Sequence, residues 1–385
     1  MSSRSPGKAA AGLTYTPALD GVRGVSVLAV IGYHAFGFPA GGFLGVQFFF
    51  VLSGFLITAL LLQEREAHGR ISLRAFYRRR ALRLLPALFV VVGAYLVISA
   101  IRFSVGDPSA DGGLLKAAYG ALVGLAYVSN AVIAWHGNLP PGIQHLWSLA
   151  AEEQFYVVWP VALVLLTRLR KSNAVLLGFA SAGIAVVELH RLQLALAGAP
   201  ERRLYEAPDT TPDAILIGCI LGILYCSGTL GRLVRTPMFR RGAVPLGALA
   251  VVAAGFLVPN TDYRPLYEWL MPVVVLGAAI LIAAAACDSA SPVTRIFSKS
   301  SLVSPGRISY GLYLWHPLFL YGLGLALPLP AVVASFVAAR LCYVHVEQPF
   351  LRRRRVAADK ARPHREAPAR HVAVAGEAVT EPSPS

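Results

Sequence analysis

The chain has 385 residues, 56% hydrophobic and only 14% charged, with a formal net charge of +15. Soluble proteins carry about 25% charged residues, so this composition excludes an ordinary soluble enzyme and indicates a polytopic membrane protein. The basic excess does not indicate a nucleic-acid partner. Its arginines cluster between hydrophobic stretches and at the C-terminus, where the positive-inside rule places them.

In chain order, Met1 to Thr16 is polar and lacks the apolar core of a signal peptide. Eleven apolar stretches follow, near 19–38, 43–63, 84–101, 114–135, 146–167, 173–190, 212–227, 243–258, 266–287, 308–326 and 328–346. Most reach the ~20 residues a helix needs to cross a bilayer. They are too long, and too free of alternation, for strands. The predicted fold is therefore an all-α polytopic transmembrane helix bundle. Loop charge decides how many stretches cross. The segment 64–83 carries seven arginines, and further basic clusters lie at Arg168/Arg170/Lys171, Arg232 to Arg241, Arg295 to Arg307 and Arg352 to Arg355. All of them fall on the cytoplasmic side only if 114–135 does not cross. The expectation is ten spans with both termini cytoplasmic, plus one re-entrant or interfacial helix at 114–135. The domains expected are a disordered N-terminus (1–16), a transmembrane domain (17–350) and a basic, disordered tail (351–385) of low apolar content. The four cysteines lie in or beside apolar runs without a Cys-x-x-Cys pair, so neither a disulfide framework nor a metal site is expected.

The first stretch carries Asp20, Arg23 and His34 in an otherwise apolar run. Arg23 and His34 share one helical face, roughly 16 Å apart along the axis. Ionisable groups on a membrane helix are costly and line a bundle interior or a pathway; the alternative is an arginine snorkelling to the surface and a histidine bonding a neighbouring helix. Ser53-Gly54 permits close helix approach. Arg79, Arg80 and Arg83 stand in the densest charge of the chain, just before Pro86. Arg80 and Arg83 are neighbours on one face, suited to a bidentate grip on phosphate or to anionic lipid headgroups.

From 145 the chain reads His145-Leu-Trp147-Ser-Leu-Ala-Ala-Glu152-Glu153. Two carboxylates at the head of an apolar helix either support the His34 imidazole or sit solvated in a vestibule. Asp213 enters a later span as a buried acid without an evident partner. Tyr310, Tyr313 and His316 form a polar stripe at helical spacing, with Pro317 marking an irregular, cavity-lining turn. The rival to this reading is aromatic packing.

Taken together, these residues resemble the acyltransferase 3 family of bacterial polytopic O-acyltransferases, from about Leu19 to Phe350. The marks are Leu19-Asp20-Gly21-Val22-Arg23-Gly24 with His34 downstream, Phe49-Phe50-Val51-Leu52-Ser53-Gly54-Phe55 and Phe76-Tyr77 leading to Arg80-x-x-Arg83. Further marks are His145-x-Trp147-Ser148-Leu149-x-x-Glu152-Glu153-Gln154, Ser309-Tyr310-x-x-Tyr313-x-Trp315-His316 and Glu347-x-Pro349-Phe350. The resemblance implies acyl-CoA as donor, no metal, and a hydroxyl acceptor on a saccharide, glycolipid, cell-surface polysaccharide or macrolide. It implies His34 as the catalytic histidine with Arg23 as its partner, and Arg80 and Arg83, beside Arg79, as the donor-phosphate grip. Glu152 or Glu153 becomes a candidate support. Two departures stand out: Gln47 where many members have an acid, and Pro212 where many have arginine before the Asp-Ala pair.

Chemistry agrees with acyl transfer. A hydroxyl attacking a thioester needs a base, and histidine suits it; a transient acyl-histidine is the alternative. The reading expected is a multi-pass plasma-membrane O-acyltransferase moving an acetyl or short acyl group. Its rival is a proton-coupled transporter or flippase using Arg23, His34 and Glu152 as a relay.

Overall fold

The computed structural model describes residues 15–107, 112–169, 172–323 and 327–350. The expected disordered ends, 1–16 and 351–385, lie outside the described residues except for Tyr15 and Thr16, as do Arg170, Lys171 and Arg352 to Arg355. Among the described residues there are helices and no strand.

Helix α1 (Pro17–Phe36) starts with proline at its first turn and stops at Gly37, whose φ of 65° closes the helix in the left-handed region. α2 (Gly45–His68) stops the same way at Gly69. Ser72 Oγ accepts the Ala75 N–H at 3.3 Å and opens α3 (Leu73–Ser104), which carries Pro86 inside it. The stretch 114–135 divides into α4 (Leu114–Leu125) and α5 (Ser129–His136). Between them Tyr127 adopts φ 54°, a conformation costly for an aromatic residue. Its carbonyl accepts from Gln154 Nε2 at 2.8 Å, and Gln154 and Asn130 exchange bonds of 3.0 and 2.9 Å. At 1.5 Å per residue neither helix spans the ~30 Å hydrocarbon core.

Then come α6 (Pro141–Gln144), α7 (Leu146–Arg168), α8 (Asn173–Leu196) and the short α9 (Glu201–Tyr205). α10 (Pro212–Cys226), α11 (Thr229–Val234), α12 (Val244–Leu257) and α13 (Met271–Cys287) follow. The chain ends with α14 (Pro292–Phe297), α15 (Ser300–Arg307), α16 (Ser309–Pro317) and α17 (Pro328–Cys342). Wide π-type turns precede α12 and α13 and extend α16 and α17.

Among the described residues, seven helices are long and apolar enough to cross a membrane: 42–68, α3, 141–168, α8, 239–257, 266–287 and 328–350. The chain is thus a multi-pass, all-helical membrane protein. The other three of the ten expected spans are shorter or carry charge. α1 holds Asp20 and Arg23, α10 has 15 residues, and α16 with its π turn ends at Gly322. The 173–190 stretch also runs further than its hydropathy suggests, through Leu196, so Arg191 belongs to a helix and not to the following loop.

Small residues set the helix spacing. A methyl group at Gly54 would overlap the Ile215 carbonyl oxygen, and one at Gly218 the Val51 carbonyl. α2 and α10 therefore touch backbone to backbone, the approach that Ser53-Gly54 predicts. On the next face, α1 lies equally close to α15, with Gly24 against the Leu302 carbonyl and Gly306 against that of Asp20. With α1 and α2 fixed in this way, α3, α7 and α16 enclose the interior beside them.

Candidate active site

The interior holds two neighbouring cavities that share part of their lining. The first, about 280 Å³, is lined by Arg23, Ser53, Arg79, Arg80, Arg83, Glu152, Glu153 and Tyr310, among apolar residues such as Phe49 and Leu56. The second, about 480 Å³, is lined by Tyr33, His34, Gln144, His145, Trp147, Glu206 and Tyr321. Val46 and Tyr313 border both. Since Arg23 lies in the second turn of α1 and His34 in its last, the cavities occupy opposite halves of the bundle.

Charge in the first cavity is paired where it is buried, as a low-dielectric setting demands, and Arg83 is the exception. Arg23 Nη1 donates to Asp20 Oδ1 at 3.0 Å, and Tyr15 donates to the other Asp20 oxygen at 2.9 Å. Asp20 does not itself line the cavity; it holds Arg23 there. Arg80 grips Glu153 with Nε at 2.9 Å and Nη2 at 2.6 Å, and lies over the Tyr156 ring, 3.3 Å from its centroid. Arg79 pairs with Glu64 at 2.9 Å. Glu152 accepts from Ser53 at 3.0 Å and from Tyr156 at 3.5 Å. Among the described residues Arg83 makes no hydrogen bond, and it is exposed where it lines the cavity.

In the second cavity the partner of His34 is another histidine. His34 Nδ1 lies 3.1 Å from His316 Nε2, and His316 Nδ1 lies 3.1 Å from the Leu312 carbonyl. A carbonyl only accepts, so the neutral His316 carries its proton on Nδ1 and accepts at Nε2. His34 must then donate from Nδ1. Its Nε2 keeps a lone pair, with no hydrogen-bond partner among the described residues, on a ring that lines the cavity. Tyr321 fixes the backbone by donating to the His34 carbonyl at 3.1 Å.

The remaining predicted residues divide between the cavities and the framework. Tyr313 donates to the His145 carbonyl at 3.0 Å and lies 2.6 Å from Ser148 Oγ. Tyr310 donates to the Leu84 carbonyl at 2.9 Å, tying α16 to α3. The His145 ring is buried against Tyr313 and His316, with both nitrogens unpaired among the described residues. Trp147 packs on Tyr205 with centroids 5.0 Å apart. Asp213 lines neither cavity: it pairs at 3.0 Å with Arg191, which also bonds Glu188 at 2.6 Å and the Thr210 carbonyl at 2.9 Å. Asp213 therefore has a partner that its own segment does not reveal. The expected bond from Glu152 or Glu153 to the imidazole is not made; their hydrogen bonds go to Ser53, Tyr156 and Arg80, and His316 takes that place. Ser148 and Tyr156 stand in the 145–156 motif without a role assigned to them, and Arg191 and Glu206 are not singled out by sequence pattern. The one visible signal is at Tyr156, a helical turn from both carboxylates. Among the described residues no set of His, Cys, Asp and Glu is arranged to hold a metal ion.

A multi-pass helical protein with a guanidinium-lined cavity beside a histidine-lined one fits the membrane-embedded transferases. The chain belongs to the acyltransferase 3 family, whose model, described as an acyltransferase domain, matches residues 16–344. It is 32% identical over 358 residues to the peptidoglycan O-acetyltransferase OatA of Listeria monocytogenes, covering 87% of this chain and 56% of that protein. It is 35% identical over 316 residues to a putative peptidoglycan O-acetyltransferase of Bacillus subtilis, covering 78% and 48%. A putative O-acetyltransferase of Staphylococcus aureus is 31% identical over 369 residues, covering 88% and 58%. The chain thus spans about half the length of the curated relatives it matches. No solved structure matches it.

Proposed function

We propose that the chain is an integral membrane O-acyltransferase that moves an acetyl or short acyl group from acyl-CoA to a hydroxyl of a saccharide, on a peptidoglycan-type glycan or a related glycoconjugate. The observation that carries this reading is the adjacency of the two cavities, which share Val46 and Tyr313 in their lining, with guanidiniums in one and the His34 imidazole in the other. The donor's phosphates lie against Arg83, backed by Arg79 and Arg80, and the acyl-pantetheine arm runs along the apolar wall toward Tyr313. His34 Nε2 takes the proton of the acceptor hydroxyl as its oxygen bonds to the acyl carbon. The carbon–sulfur bond breaks, and the thiolate leaves toward the donor side. His316 acts through His34, holding its tautomer and sharing the charge of the transient imidazolium. Arg23, held by Asp20, adds positive charge on the donor side.

The accompanying topology has ten spans. α1, α10 and the α16 region cross within the bundle, both termini lie in the cytoplasm of the plasma membrane, and α4 and α5 lie on the outer side. Residues 17–350 form the catalytic domain. Purified protein incubated with labelled acetyl-CoA and a glycan acceptor should yield acetylated glycan by mass spectrometry, and His34→Ala should lower turnover by roughly 10²- to 10⁴-fold with the protein still monodisperse in detergent. Retained turnover refutes the base role, and a label found on His34 indicates an acyl-histidine instead. Proton-coupled substrate movement without acyl-CoA dependence favours a transporter.

A further inference from the structure

Beside the His34 cavity lies a third one of about 320 Å³, lined by Asn138, Arg202, Asp262, Arg264 and Tyr267. It adjoins the His34 cavity, with Gln144, Glu201 and Glu206 lining both. Its walls are polar, unlike those of the donor side. The segment 197–211 that forms much of it is firmly held. Tyr205 donates to the Phe43 carbonyl at 3.1 Å, and Arg203 to Asp209 Oδ1 at 2.7 Å.

Within this rigid frame one group is left over. Glu206 is only 8% exposed, and its Oε2 is buried with no hydrogen-bond partner among the described residues. Its neighbours are already engaged, apart from the exposed Arg202 guanidinium, which acts on it through charge alone. Glu201 bonds Thr261 and Asp262, Arg264 donates to the Ala195 carbonyl at 3.0 Å, and Arg203 is spent on Asp209. Folded proteins leave few buried polar atoms unpaired, and such an atom at a cavity junction calls for a ligand. Burial, reinforced by the Glu201 carboxyl, pushes the Glu206 carboxyl up to about 8. At neutral pH it is therefore an uncharged group that both donates and accepts a hydrogen bond.

We propose that Glu206 and Gln144 form an acceptor-orienting subsite that binds the hydroxyl and N-acyl groups of a neutral saccharide unit while the neighbouring unit meets His34. This rests on the saccharide reading of the acceptor and deepens it. A saccharide supplies dense hydroxyl donors and acceptors that complement an uncharged carboxyl and an amide. An apolar macrolactone would bury Glu206 against carbon and leave it unpaired. An anionic ligand would meet Glu201 and Asp262 as well as Arg202 and Arg264, so charge gives it no advantage over a neutral one.

The test is equilibrium binding of a β-1,4-linked N-acetylglucosamine tetramer to the full chain in detergent, run beside acetyl transfer to the same tetramer. Glu206→Leu should weaken tetramer affinity tenfold or more and raise its KM in step, with the KM for acetyl-CoA moved less than twofold. Glu206→Gln, which keeps a donor and an acceptor, should recover most of the loss, and Gln144→Ala should weaken binding independently. Unchanged tetramer affinity in Glu206→Leu overturns the proposal, as does the absence of tetramer binding to the wild-type chain, or tighter binding of a macrolactone than of the tetramer. Binding that depends on Glu206 without any acetyl transfer upholds the subsite and refutes the acyltransfer reading, so the two fail separately.

Discussion

Replacing His316 by leucine isolates the contribution of the histidine pair. In the folded protein His34 donates from Nδ1 to His316 Nε2 at 3.1 Å, and His316 is fully buried. In the ground state this is a bond between neutral rings. In the proposed mechanism His34 takes the acceptor's proton, and the same bond then becomes charge-assisted, worth ~1.5–3 kcal/mol against about 0.5–1.5 kcal/mol for the neutral bond. That bond strengthens only as charge develops, so its loss should appear in kcat. At 1.36 kcal/mol per decade, a gain of about 1–1.5 kcal/mol means that His316→Leu should lower kcat roughly 5- to 13-fold with the KM values of both substrates nearly unchanged. His316→Gln retains an oxygen acceptor and should recover part of the rate. The assay is acetyl transfer measured by mass spectrometry, with detergent size-exclusion profiles as a folding control. A kcat for His316→Leu within twofold of wild type would refute the pairing as a source of rate. Equal losses for leucine and glutamine would refute the hydrogen bond as its cause.

Three further outcomes follow from the framework. Arg191 and Asp213 are each 2% exposed in their side chains and paired at 3.0 Å; Arg191→Leu alone strands a buried carboxylate and should destabilise the fold by about 3–5 kcal/mol, whereas Arg191→Leu with Asp213→Leu should recover much of it, read by thermal unfolding in detergent. Gly54→Ala or Gly218→Ala drives a methyl into a carbonyl of the facing helix and should lower the unfolding temperature more than Gly93→Ala, where the space is open. The Glu206 carboxyl, raised to about 8 by burial and the Glu201 carboxyl against the lowering effect of Arg202, favours the protonated folded form. Its contribution is fully present below the ordinary carboxyl range and is lost as pH rises toward 8, by up to about 1.4 kcal/mol per pH unit. Stability should therefore fall from pH 5 to 8 more steeply in wild type than in Glu206→Gln, and equal slopes would contradict that assignment.

Features that rest on local pattern are legible in the sequence alone. Arg23 and His34 share one face of α1 by helical period, and Gly54 declares a close helix contact. Loop charge marks the apolar stretch at 114–135, but its division at Tyr127 is held by Gln154 from a different helix, which no window around 127 reveals. Long-range partnerships are not legible for the same reason. Asp213 looks unpaired in the sequence because hydropathy falls before α8 ends, which assigns Arg191 to the loop that follows. Glu206 carries no sequence signal, since its meaning lies in what fails to reach it.

The pairing of His34 with a neutral histidine, while the carboxylates bond elsewhere, has a chemical logic. A base must be uncharged when the acceptor arrives. A carboxylate against its Nδ1 in a low-dielectric interior would favour the imidazolium at rest. His316 accepts a hydrogen bond without contributing a full charge, so it orients the ring and leaves Nε2 free. Glu153 is committed to Arg80, and Glu152 is bonded by Ser53 and Tyr156, on the other side of Tyr313. Their negative charge there offsets that of the guanidiniums, which in the proposed donor site would otherwise hold the donor product too tightly to release it. Glu153→Gln should therefore free Arg80 and lower the KM for acetyl-CoA while slowing turnover through product release. Removal of free CoA during the assay should not change kcat if release is limiting, whereas a pre-steady-state burst of acetylated product should appear only in the variant. A variant with raised KM and no burst would show instead that Glu153 positions Arg80 for the donor.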